Sequence, residues 1–168
     1  TAQNTPVGAT YTDNGNGTIS DNNTGLMWQK EDDDVTRAWA DAGTYCDGLS
    51  LGGQTDWRLP TKKELITIVN YGTYNLLIDT TYFPNTNASY YWSSTTFAYG
   101  TSYAWLVAFG NGGVSFDDKS YYYYVRCVRG DGQSTTKSFT DNGNGTVTDN
   151  NTTLMWQKED DKVTRTWE

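Results

Sequence analysis

The chain writes one stretch twice. Residues 11–39 read YTDNGNGTISDNNTGLMWQKEDDDVTRAW, and residues 139–167 read FTDNGNGTVTDNNTTLMWQKEDDKVTRTW. At an offset of 128 (139 − 11), 23 of 29 positions match. The six that differ are Tyr11/Phe139, Ile19/Val147, Ser20/Thr148, Gly25/Thr153, Asp34/Lys162 and Ala38/Thr166. The first copy is followed by a domain's worth of sequence and the second by Glu168 alone. The chain therefore reads as one complete repeat plus the opening of another. Residues 1–10 form a leader or linker, 11–130 a domain and 131–138 a polar linker. Residues 139–168 form a partial second repeat, a meander with a helix start.

Each copy has the pattern of a tight β-meander. Tyr11–Asp13 reads as a short strand, and Asn14-Gly15-Asn16-Gly17 supplies residues that tolerate positive φ in a hairpin turn. Thr18–Ser20 returns, Asp21–Gly25 turns again, and Leu26–Gln29 makes a third strand. The acidic run Glu31–Asp34 reads as a solvated loop. Thr36 is placed to cap a helix running to about Leu49, with Trp39, Ala42, Tyr45, Cys46 and Leu49 on one face. Thr61 and Glu64 form a capping box for a second helix, with Leu65, Ile68 and Val69 facing the core. From Ser89 the pattern is strand-like: Tyr90–Thr96, Tyr103–Phe109, Val114–Phe116 and Tyr121–Arg129.

Composition narrows the function. There is no histidine, which removes Ser-His-Asp and Cys-His arrangements and the commonest metal ligand. A net charge of −8 argues against nucleic acid and anionic lipid as partners. No apolar run approaches a membrane span. The chain shows no secretory leader, so an exported protein would be represented here in mature form. Its two cysteines, Cys46 and Cys127, read either as buried thiols or as one disulfide. The polar composition favours the disulfide, and with it an oxidising location, extracellular or at the cell surface.

The segments DWRLPTKKEL (56–65), YWSST (91–95) and YVRCVRG (124–130) follow the TDNGNGT…DNNTGLMWQK opening. In that order they resemble the Lcl C-terminal domain family, known as domain of unknown function 1566 and named for the Legionella collagen-like adhesin. The resemblance covers residues 11–130. The family is similar to formylglycine-generating enzymes and C-type lectins. It implies an α+β, C-type-lectin-like fold: a twisted antiparallel sheet, two helices and long loops, with the N-terminal meander duplicated at the C-terminus. No activity comes with it. The formylglycine branch depends on cysteine or copper chemistry, and the calcium tripeptides of sugar-binding lectins are absent. The adhesin's association with sulfated glycosaminoglycans calls for basic surface.

Candidate sites follow from residue types. No catalytic residue is identified, and no enzymatic activity is expected. Tyr90, Tyr99, Tyr103, Tyr121, Tyr122 and Tyr123 offer rigid amphipathic surface for a glycan or a host or cell-surface protein. Asp13, Asn16 and Asp21 are weak calcium candidates, since Gly15 stands where a ligand oxygen belongs. Structural calcium is the one cofactor left open. In the second copy Phe139, Val147, Leu154, Met155 and Trp156 form an apolar set without a full domain to bury it. A meander of this size alone is marginal in water. The expectation is a structural subunit of an extracellular fibre or tandem array, assembling head to tail with copies of itself through 139–168. The alternative is an adhesin-type binding module from a tandem-repeat protein.

Overall fold

A computed structural model describes residues 10–131, 139–150 and 153–163. The leader except Thr10, the linker beyond Asp131 and the end of the second copy, with its expected helix start, lie outside the described residues. The chain divides into two compact units, residues 1–132 and 133–168.

The first unit is mixed α+β. Its elements are β1 (Tyr11–Asp13), β2 (Thr18–Asp21), β3 (Met27–Gln29), α1 (Trp39–Asp47), α2 (Lys62–Thr67), β4 (Tyr90–Thr96), β5 (Tyr103–Ala108), β6 (Val114–Asp118) and β7 (Val128–Arg129). They form two antiparallel sheets, β1-β2-β3-β7 and β4-β5-β6. The Asn-Gly hairpin works as its residues dictate. Gly15 and Gly17 take φ of +72° and +84°, and the Asp13 carboxylate accepts from the Gly15 amide. The last strand of this unit, β7, thus closes onto the strand that the opening meander contributes, with Trp28 opposite Val128.

The β4-β5 pair carries core on both faces because successive residues point opposite ways. Tyr91 and Val107 join Phe109, Ile19, Leu26, Trp28, Leu65, Ile68, Ile78, Phe83 and Val128 in one buried cluster. Trp92, Ala104 and Leu106 join Ala42, Cys46, Trp57, Leu59, Val125 and Cys127 in the other. Cys46 of α1 is disulfide-bonded to Cys127 across a sequence separation of 81, fastening α1 beside the approach to β7.

Two expected elements differ. The first helix starts at Trp39 rather than after Thr36, and its N-cap Ala38 makes no side-chain cap. The cause is a bridge. Arg37 N donates to Tyr123 O (2.9 Å) and Tyr123 N to Arg37 O (3.1 Å), which holds the chain extended there. The strand expected over Tyr121–Arg129 is only Val128–Arg129. Upstream of it, Tyr123 and Tyr124 make isolated bridges to Arg37 and Tyr91 instead of one ladder. The capping box at α2 forms as read, with Thr61 Oγ1 accepting from the Glu64 amide and Glu64 accepting from the Thr61 amide.

The second unit holds β8 (Phe139–Asp141), β9 (Thr146–Asp149) and β10 (Met155–Gln157) in one antiparallel sheet, order β10-β9-β8. Its registers, Phe139↔Asp149 and Gln157↔Thr146, are those of Tyr11↔Asp21 and Gln29↔Thr18 shifted by 128. Among the described residues no helix is long and apolar enough to cross a membrane.

Candidate assembly seat and aromatic face

The first meander is held by a socket made from the rest of its domain. Trp28 and Ile19 are 0 % exposed within the first cluster. Gln29 reads the socket with both ends of its amide: Nε2 donates to Tyr45 Oη (2.9 Å), and Oε1 accepts from the Cys127 amide (3.0 Å). Beyond β3 the chain is clamped by Arg126, which is fully buried. Its guanidinium donates to the carbonyls of Gln29 and Lys30, to Thr86 Oγ1, and to Asp32 Oδ2 at 3.1 Å. Tyr91 Oη donates to the same Asp32 oxygen at 2.7 Å. Burial drives the Tyr91 hydroxyl far above its ordinary pKa, although Arg126 pulls the other way, so it stays a donor. Burial also lowers the Arg126 pKa, and Asp32 opposes that fall. Asp32, read above as part of a solvated loop, is thus a buried ion-pair partner. The correction has one cause: Arg126, 94 residues away, arrives beneath it.

The second copy carries largely the same side chains in the same register, with its large apolar ones exposed. Trp156 is 58 % and Met155 63 % exposed, and Phe139 and Leu154 are exposed as well. Val147 is half-buried where Ile19 is fully buried. Among the described residues β10 pairs with β9 alone, whereas β3 pairs with β2 on one side and β7 on the other. The local ion pair survives intact: Lys158–Asp141 repeats Lys30–Asp13. The described part of the second copy repeats the hairpin chemistry of the first.

A second feature lies on β5 and β6. Tyr103 and Trp105 share one face of β5, and Trp105 stands opposite Phe116 of β6. Phe97 stacks on Phe116 with centroids 4.0 Å apart and planes 9° from parallel. Tyr99, Tyr103 and Trp105 meet this pair edge-on or tilted. Lys62 Nζ sits 3.7 Å from the Trp105 ring centroid. Tyr99 is 94 % exposed, and Tyr103 and Phe116 are exposed too.

The six expected tyrosines do not form one site. Tyr99 and Tyr103 join this ring cluster. Tyr121 and Tyr122 are exposed in the loop after β6. Tyr90 and Tyr123 instead pack on each other and on the second core cluster. The Tyr123 hydroxyl, donating to Asp117, has its pKa pushed up to about 12 by burial and that carboxylate. Of the missed members, Trp105 and Phe116 meet through the register of β5 with β6, and Phe97, just past β4, donates its amide to Tyr103 O at 2.9 Å.

The residues expected as calcium ligands take part in turns and local pairs. Asp13 pairs with Lys30, Asn16 Oδ1 accepts from the Thr18 hydroxyl, and Asp21 accepts from the amides of Asn23 and Thr24. Among the described residues no group of three or more acidic or cysteine side chains is placed to hold a metal ion. Arg58 bonds Glu64 and the Gly130 carbonyl, Arg129 pairs with Asp56, and Trp57 is buried with its indole N–H on Leu51 O.

The profile of the Lcl C-terminal domain family matches residues 17–129, from the residue before β2 to the end of β7. No curated protein matches the chain.

Proposed function

Because the chain belongs to the Lcl C-terminal domain family, we propose that it is a non-enzymatic extracellular structural module with a C-type-lectin-like architecture. It builds a fibre or tandem array head to tail: residues 139–168 of one unit substitute for, or pair beside, the equivalent segment of another copy. One observation carries this reading. Trp156 stands in the register of Trp28, yet it is 58 % exposed where Trp28 is wholly buried. Burying a side chain of that size is worth roughly 2–3 kcal/mol, so an exposed copy is a standing drive toward a partner. A contact between unlike surfaces on successive units does not close on itself and extends into a chain. The disulfide between Cys46 and Cys127 supports placement outside the cytoplasm. Deleting residues 139–168 and following particle size by sedimentation and electron microscopy tests the reading. Loss of assembly with the first domain still folded is the expected result, and unchanged assembly contradicts it.

The aromatic face of Phe97, Tyr99, Tyr103, Trp105 and Phe116 favours a second reading, an adhesin-type module that stacks a glycan on these rings. A chain at −8 suits an uncharged saccharide better than a sulfated one. Binding of the chain to a glycan array, lost on Phe116→Ala, is the expected signature.

A further inference from the structure

A free sheet edge presents backbone donors and acceptors, and where they begin and end decides what fits beside it. In the first unit the outer edge of β4 is covered, since Trp92 N donates to Tyr124 O and Ser94 N to Pro60 O. Val128 of β7 is bridged to Arg58. The outer edge of β6 is bare. Ala108 N donates to Gly113 O and Lys119 N to Ser102 O, so residues 113, 115, 117 and 119 turn their backbone groups toward β5. Residues 112, 114, 116 and 118 turn theirs away. At both ends of that row the groups are used locally. Gly112 N donates to Ala108 O, and Gly112 O accepts from Tyr71 Oη. Asp118 N donates to the Asp117 carboxylate, and Asp118 O accepts from Tyr121 N. The N–H and C=O groups of Val114 and Phe116 remain open between them.

We propose that this edge is a self-pairing site. β6 of one copy lies antiparallel beside β6 of a second, about a twofold axis that passes between their Ser115 residues. The proposal goes beyond lengthwise assembly by adding a side-by-side contact that bundles the fibre or array.

The register favours a second copy over an unrelated strand. Setting Val114 opposite Phe116 of the second copy, and Phe116 opposite its Val114, pairs every open group on both copies. Shifting the strands to set Val114 against Val114, or Phe116 against Phe116, brings Gly112 or Asp118 into the ladder, whose groups are already taken. The side chains agree with the first register. Val114 and Phe116 are both exposed and share one face of β6, so the axis makes an apolar cross-strand pair twice. Asp117 falls opposite Gly113 and Asp118 opposite Gly112. No acid of β6 therefore meets an acid directly across the pairing, which matters in a chain at −8. β1 also stands at the edge of its sheet, but it exposes Thr12 and Asp13 rather than apolar side chains. So short a contact is weak singly and gains strength when repeated along an array.

Cysteine trapping on the full chain tests this. Residues facing each other at a non-hydrogen-bonded position have Cα atoms about 4.5 Å apart, within disulfide reach. The native Cys46 and Cys127 are buried and bonded to each other, out of the way of a new thiol. Under mild oxidation at high protein concentration, Ser115→Cys is expected to give a covalent dimer in clear excess over Ser120→Cys, which is exposed but off the axis. Adding Val114→Pro is expected to abolish that dimer with the domain still folded, because the lost N–H points away from β5. Adding Val114→Lys instead keeps every backbone group and is expected to lower the yield. A Ser115→Cys dimer no more abundant than that of Ser120→Cys, or a yield untouched by both second changes, overturns the pairing. Sedimentation of the same samples separates the two claims. Large particles with no Ser115→Cys dimer overturn the pairing and leave lengthwise assembly standing. A Ser115→Cys dimer in a chain that forms nothing larger upholds the pairing and counts against lengthwise assembly.

Discussion

Asp32 and Asp160 share the local sequence Gln-Lys-Glu-Asp-Asp and differ in everything around them. Asp32 is buried against Arg126 and Tyr91, while Asp160 is exposed, its carboxylate accepting from the Lys162 amide. Removing one partner of a buried ion pair leaves the other charged and unsolvated, at a cost of about 3–5 kcal/mol. Asp32→Asn is therefore expected to lower the denaturant midpoint of the monomer strongly, and Asp160→Asn to leave it within about 0.5 kcal/mol of wild type. Chemical denaturation of the two variants side by side checks it. This contrast was invisible in the sequence, because an acidic run reads as solvated until its long-range partner is known. Arg126 lies in a motif that the sequence did single out, but which residue it would meet depended on the closure of β7 onto β3.

At the scale of the element, α2 carries a pH signature. Burial raises the Glu64 pKa, but Arg58, the Thr61 amide and the Thr61 hydroxyl outweigh it and hold the carboxyl below its usual 4.5. A depressed folded-state pKa gives stability that is present above 4.5 and disappears as pH falls through the folded value. Glu64→Gln is thus expected to cost about 1–2 kcal/mol at neutral pH, and the gap to wild type is expected to close in acid below 4.5. Thermal unfolding of both proteins across pH reads this directly. The α2 box was legible because its chemistry is local, four residues reading one another. The start of α1 was not, because Thr36 offers a good cap and a bridge between Arg37 and Tyr123 overrides it. The run Tyr121–Arg129 failed for a related reason. Its β propensity is high, but its backbone serves Arg37, Tyr91 and Arg58 in turn rather than one neighbouring strand. The ring cluster on β5 and β6 needed the pairing of Trp105 with Phe116, which alternation within either strand does not give.

For the whole molecule, two features decide behaviour: one closure within the first unit and one surface left open on the second. The disulfide between Cys46 and Cys127 closes 81 residues, a span for which removal costs about 2–5 kcal/mol. Cys46→Ala with Cys127→Ala is expected to fold with a lower melting temperature, and calorimetry checks it. The open surface is the second meander, and Trp28 and Trp156 give it a matched pair of probes. Trp28→Ala empties a core position and is expected to destabilise the domain by about 3–5 kcal/mol. Trp156→Ala tests the central claim most directly, by sedimentation velocity of the full chain over a range of concentrations. The account predicts unchanged monomer stability with concentration-dependent assembly lost. Assembly that persists undiminished in Trp156→Ala contradicts it.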